Sequence, residues 1–97
     1  MITTLSIEDT LRKLKPTLFK DYSVQKVGYF GSYANDTFTS SSDLDIIVYF
    51  EKPLGWSFFD LKELLESELK VNVDLVSASA LRHELRDQIL KQTKFID

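Results

Sequence analysis

Two short motifs, Gly31-Ser32 and Asp43-Leu44-Asp45, are separated by ten residues and constrain this chain more than any other feature. The Gly-Ser step closes an apolar run, Val24 to Phe30, and the Asp-x-Asp pair opens another, Leu44 to Phe50. Both runs read as strands. The second is apolar on both faces and is therefore predicted to be central. A glycine at a strand end lets the backbone approach something bulky, and the serine adds a hydroxyl to the N–H donors, as a phosphate would require. Aspartates one residue apart on a strand point to the same face and can share a divalent cation. If the two motifs serve one site, the strands must run antiparallel, so that their opposite ends meet at one edge of the sheet. A phosphate cradle beside metal-binding carboxylates is equipment for phosphoryl or nucleotidyl transfer.

The rest of the pattern supplies helices to cover such a sheet. Ser6-Ile7-Glu8-Asp9 reads as a helix cap, and Ile7, Leu11, Leu14 and Leu18 recur at helical spacing. Pro16 interrupts them, predicting a helix over about 6–15 and then a kink or a fresh turn. Residues 31–42 form a Ser/Thr-rich loop with room for one helical turn. Pro53 and Gly55 break the chain after the second strand. Ser57-Phe58-Phe59-Asp60 resembles a second capping box, and Phe58, Leu61, Leu65 and Leu69 make one apolar stripe. Val71 to Val76 is a third strand, and Leu81, Leu85 and Ile89 mark a last helix. The predicted fold is α/β (α+β), in the order α-β-β-α-β-α, with helices packed on a small sheet. Ninety-seven residues predict a single domain spanning 1–97.

Composition narrows the chemistry. The net charge is −3, so no basic field points to direct nucleic-acid binding. Cysteine is absent, which removes disulfides, thiolate metal sites and thiol nucleophiles. Met1-Ile2-Thr3-Thr4 lacks a basic start and a long apolar run, and no stretch is suited to a membrane. A cytoplasmic location is expected.

Asp74 is the third carboxylate of interest. It lies between Val73 and Leu75, where burial would cost several kcal/mol unless something paired with it. A metal shared with Asp43 and Asp45 would relieve that cost; a hydrogen-bonded or edge-strand aspartate facing water is the alternative. Asp43 alone could cap a strand start, and Ser42 could add a pocket hydrogen bond or be a plain loop serine. His83 reads as a solvated residue. Arg82 and Arg86 read as a solvated face beside Glu84 and Asp87, though the pair could also reach a phosphate or a partner. Trp56 and Phe59 are either an exposed aromatic pair suited to a partner or a second packing surface under 51–55.

Gly-Ser-x10-Asp-x-Asp with a downstream Val73-Asp74-Leu75-Val76 resembles the minimal nucleotidyltransferases of the DNA polymerase beta superfamily, across nearly the whole chain. The resemblance implies that fold, with a small mixed sheet. It implies that Gly31 and Ser32 bind the phosphates of a nucleoside triphosphate, with Ser42 as a further candidate. It also implies that Asp43 and Asp45 hold two magnesium ions, with Asp74 completing the site and helping to deprotonate an acceptor hydroxyl. Minimal members pair with a small all-helical HEPN protein in two-component toxin–antitoxin modules. The resemblance therefore implies an antitoxin that places AMP from ATP on its partner. A binding-only antitoxin that occludes its partner is the alternative, and a nucleotide sensor without turnover is a third reading. One departure is visible: Asn35-Asp36 stand where relatives usually have Arg-Gly, removing a cation and adding a negative charge near the triphosphate.

Overall fold

The computed structural model describes residues 3–97. Helix α1 (Thr4–Tyr22) leads into strand β1 (Val24–Phe30), and β2 (Leu44–Phe50) follows the long loop. Helix α2 (Ser57–Leu69), strand β3 (Val73–Ser77), a 3₁₀ turn (Ala78–Ala80), helix α3 (His83–Gln92) and a short strand β4 (Lys94–Phe95) complete the chain. The sheet order is β3-β2-β1-β4. β1 runs antiparallel to β2 and β4, while β2 and β3 are parallel, joined by the α2 crossover. The sheet is therefore mixed, and β2 is an inner strand, as its sequence predicts.

Side chains alternate across the sheet and divide the core in two. Leu44, Ile46 and Val48 of β2, Val27 and Tyr29 of β1, and Val73 and Leu75 of β3 face α1 and α2, whose Ile7, Leu11, Leu18, Leu61 and Leu65 are buried against them. Fully burying each of these aliphatic side chains contributes about 1.5–3 kcal/mol, making this layer the main source of stability. Ile47 points the other way and packs with Ala78 and Ile89 under α3. Asp45 has the parity of Ile47, so it lies on the α3 face. Within the main layer the Tyr29 hydroxyl donates to the Glu8 carboxylate, joining β1 to α1. Burial, reinforced by that hydrogen bond and the nearby Glu8 and Asp36 charges, pushes the Tyr29 phenol well above its ordinary pKa.

Several boundaries differ from expectation. α1 runs through Pro16 without ending, because Leu11 and Leu18 on either side are anchored in the core and the proline itself is exposed. Its cap is Thr3 rather than Ser6. Thr3 Oγ1 accepts the Ser6 N–H at 3.1 Å, and Ser6 Oγ accepts the Thr3 N–H at 3.0 Å. α2 begins at Ser57 with no side-chain cap at Trp56. β3 starts at Val73, since Lys70 adopts a left-handed φ of 58° to end α2 and Asn72 C=O accepts the Leu44 N–H at 2.8 Å. Leu81 precedes α3 and Leu85 is 46% exposed, so the last stripe reduces to Ile89 with Leu90 beside it. The 3₁₀ turn and the extended Leu81 and Arg82 reset the helical phase. β4, absent from the sequence reading, crosses β1 at Gly28, where a side chain would collide with Thr93 and the Lys94 carbonyl. No described helix is long and apolar enough to cross a membrane.

Candidate active site

The strand register assembles the motifs. Phe30 pairs with Asp45 across β1 and β2, and Asp45 pairs with Asp74 across β2 and β3. Gly31 follows Phe30, so Gly31, Asp45 and Asp74 form a row at one end of the sheet. Gly31 has a left-handed φ of 73°, and any side chain there would overlap Asp45 Oδ2. Only glycine satisfies both conditions. Ser32 opens a turn closed by Asn35 N–H to Gly31 C=O at 3.0 Å and Thr37 N–H to Ser32 C=O at 2.9 Å. The N–H and hydroxyl of Ser32 make no hydrogen bond among the described residues.

Asp45 is half-buried, and its pKa is raised to about 6. Desolvation is the largest cause, followed by the Asp74 charge, a hydrogen bond with Asp74, and the Asp43 charge. A carboxylate pushed upward by its carboxylate neighbours in this way marks a place where positive charge is missing. Asp74 itself is exposed, because β3 is an edge strand. The burial cost expected for Asp74 therefore does not arise; the strain falls on Asp45. Asp43, one residue before β2, is also exposed.

Among the described residues no three His, Cys, Asp or Glu side chains are gathered into a ready cage for a metal ion. The donor set nevertheless suits magnesium. That ion keeps several waters and takes only one or two carboxylates together with substrate phosphates. Asp45 and Asp74 fit that role, with Asp43 adjoining.

Ser42 is placed differently. Its Oγ accepts the Thr39 N–H at 2.9 Å and its N–H donates to Thr39 C=O at 3.1 Å, so both groups close their own loop. Tyr33 and Phe38 stack at 4.3 Å between centroids and pin that loop to the core. His83 and Asp87 form a 3.7 Å pair in solvent, and Arg86 Nη2 donates to Leu81 C=O at 3.1 Å. Trp56 and Phe59 are 86% and 56% exposed with centroids 6.1 Å apart. Phe59 also borders a groove of about 600 Å³ with Leu54, Phe58 and Leu81. That groove lies at the Phe50 and Ser77 ends of β2 and β3, away from the carboxylates.

One contact has no counterpart in the sequence reading. Gln92, at the end of α3, receives both the Gly31 N–H (3.3 Å) and Asn35 Nδ2 (3.2 Å) on Oε1. Nothing in the sequence around Gln92 signals this. Asp36, next in the turn, takes a left-handed φ of 58°.

Comparison with known proteins follows the same lines. The polymerase beta, nucleotidyltransferase family matches residues 12–96. Protein adenylyltransferase MntA of Thermococcus cleftensis is 35% identical over 97 residues, covering 99% of this chain and 98% of that protein. A crystal structure of a toxin–antitoxin with AMP-PNP superposes with a TM-score of 0.73 at 30% identity, covering 91% of this chain and 70% of that one. A tri-AMPylated Shewanella oneidensis HEPN toxin in complex with its MNT antitoxin superposes with a TM-score of 0.68 at 28% identity, covering 92% of this chain and 67% of that one.

Proposed function

The chain belongs to the polymerase beta nucleotidyltransferase family, as one of its minimal members, and we propose that it transfers AMP from ATP to a hydroxyl of a small all-helical HEPN-type partner, acting as the antitoxin of a toxin–antitoxin pair. The observation that carries this reading is the crowding of Asp43 and Asp74 onto half-buried Asp45, directly against the Gly31-Ser32 turn. Magnesium held by these carboxylates would neutralise the triphosphate and lower the pKa of the acceptor hydroxyl.

The chain's own groups do the rest. Ser32 offers an unspent N–H and hydroxyl to the polyphosphate. Gly31, lacking a side chain, lets the Asp45 carboxylate lie directly against the turn that carries Ser32. Asp74, exposed on the edge strand, is open to an incoming acceptor and takes its proton. The acceptor oxygen bonds to the α-phosphorus, the bond from the α-phosphorus to the bridging oxygen breaks, and pyrophosphate leaves. MntA and the toxin–antitoxin structures support AMP and a HEPN-type acceptor by likeness.

The test is transfer of label from α-labelled ATP with magnesium into proteins of the source-cell lysate, with Asp43→Asn/Asp45→Asn in parallel. A band labelled only by the wild type is the expected result, and its size reports the acceptor. No label from any of the four nucleotides, with a partner still co-purifying, would replace this reading with antitoxin action by occlusion.

A further inference from the structure

We propose that Gln92 is a positioning residue for nucleotide binding: it ties the end of α3 to the Gly31-Ser32 turn and holds that turn in its phosphate-receiving form. The inference rests on the transfer reading above and deepens it. Gln92 Oε1 has room for two donors and receives two, the Gly31 N–H at 3.3 Å and Asn35 Nδ2 at 3.2 Å. These are the first and fifth residues of the turn, and the same pair is linked through the backbone by the Asn35 N–H to Gly31 C=O bond at 3.0 Å. One side-chain amide therefore clamps both ends of the segment that contains Ser32.

The clamp also decides which donors remain for a ligand. With the Gly31 N–H taken by Gln92, the Ser32 N–H and hydroxyl are left without partners among the described residues. The turn has little freedom to drift, because Gly31 already sits in contact range of Asp45 Oδ2. A shift toward the sheet would press on that carboxylate, and a shift away would carry Ser32 from the phosphates. Gln92 opposes the second movement. It is reached from an element remote in sequence, and its replacement leaves every carboxylate in place.

Gln92→Met preserves the length of the side chain and removes the acceptor. Losing this pair of exposed, neutral hydrogen bonds corresponds to about fivefold to thirtyfold weaker binding. Titration of wild type and Gln92→Met with ATP and magnesium is expected to show that loss. Single-turnover transfer at saturating ATP stays within about twofold, since the reacting groups are untouched. Hydrogen exchange at the Gly31 amide accelerates, which a general loss of stability would not confine to that site. Adding Asn35→Ala to Gln92→Met weakens binding no further, because the shared acceptor has already gone. Unchanged affinity in Gln92→Met, or full additivity of the two substitutions, overturns the assignment while leaving the transfer reading standing. If Gln92→Met does not fold, Asn35→Ala, which removes one of the two donors to Gln92 from an exposed side chain, provides the test through ATP affinity, and wild-type affinity there overturns the assignment. A wild type that binds no ATP with magnesium overturns both readings together.

Discussion

At Gly31 a left-handed backbone, a neighbouring carboxylate and a helix-borne amide all converge on one residue. Gly31→Ala must therefore overlap Asp45 Oδ2 and strain φ together. We expect a loss of about 1–2 kcal/mol or more from the backbone alone, read by urea unfolding, with nucleotide binding abolished. Asp45 gives the pH prediction. Its folded pKa, about 6, lies above the ordinary 3.8, so between these values the unfolded chain releases its proton before the folded one. Stability falls as pH rises through that window, and the cost is fully present above it. Asp45→Asn removes the cost. After allowing for solvent screening, we expect it to raise metal-free stability by about 1 kcal/mol at pH 7.5 and by nothing at pH 3.5. Magnesium competes with the same proton, so the rise in Tm on adding magnesium should grow from pH 5 to pH 7. A pH-independent shift would place the ion elsewhere. Asp36 is the milder case: φ of 58° is tolerated by aspartate but favoured by glycine.

Among the elements, α1 shows where local rules mislead. Pro16 lacks the N–H that would reach back one turn, yet the helix persists to Tyr22 because Leu11 and Leu18 hold both halves to the sheet. Interior proline costs up to about 3 kcal/mol, and this one is exposed. Pro16→Ala should therefore stabilise the protein by about 1–3 kcal/mol, seen as a higher urea midpoint with an unchanged slope. The three strands were legible from their apolar runs, and the Gly-Ser and Asp-x-Asp motifs announced their shared edge. Their antiparallel pairing followed from requiring one site. The final strand was not legible, because two residues, Lys94 and Phe95, carry no periodicity and pair only through a distant β1. Gln92 was hidden for the same reason. Its role depends on where α3 ends relative to Gly31, which the 3₁₀ turn and β4 determine. For Asp74 the sequence left a paired, buried carboxylate and an edge-strand aspartate facing water both open, since Val73 and Leu75 suggest burial; the edge position of β3 leaves it in water.

Across the whole molecule, residues 92–97 bind the first helix, the first strand and the site into one unit. Ile96 is buried in the α1–sheet layer; its N–H donates to Val27 C=O at 2.9 Å and its C=O accepts Lys15 Nζ at 3.2 Å. Phe95 stacks obliquely on Tyr49, and Lys26 Nζ lies 4.6 Å from its ring centroid. Stability and site geometry are therefore fed from one short segment: Ile96 through the core and Gln92 through the turn. These contributions should separate. Ile96→Ala leaves a cavity where α1 meets β1, and we expect a loss of about 2–4 kcal/mol. For a chain of this length that corresponds to a Tm lower by about 10–20 °C. ATP affinity measured well below that Tm should stay at the wild-type value, because the clamp and the carboxylates are intact. Gln92→Met should show the reverse, a near-normal Tm with weaker ATP binding. If Ile96→Ala weakens ATP binding as much as Gln92→Met does, the terminal segment and the site melt as one body. The turn would then be held by overall stability rather than by Gln92.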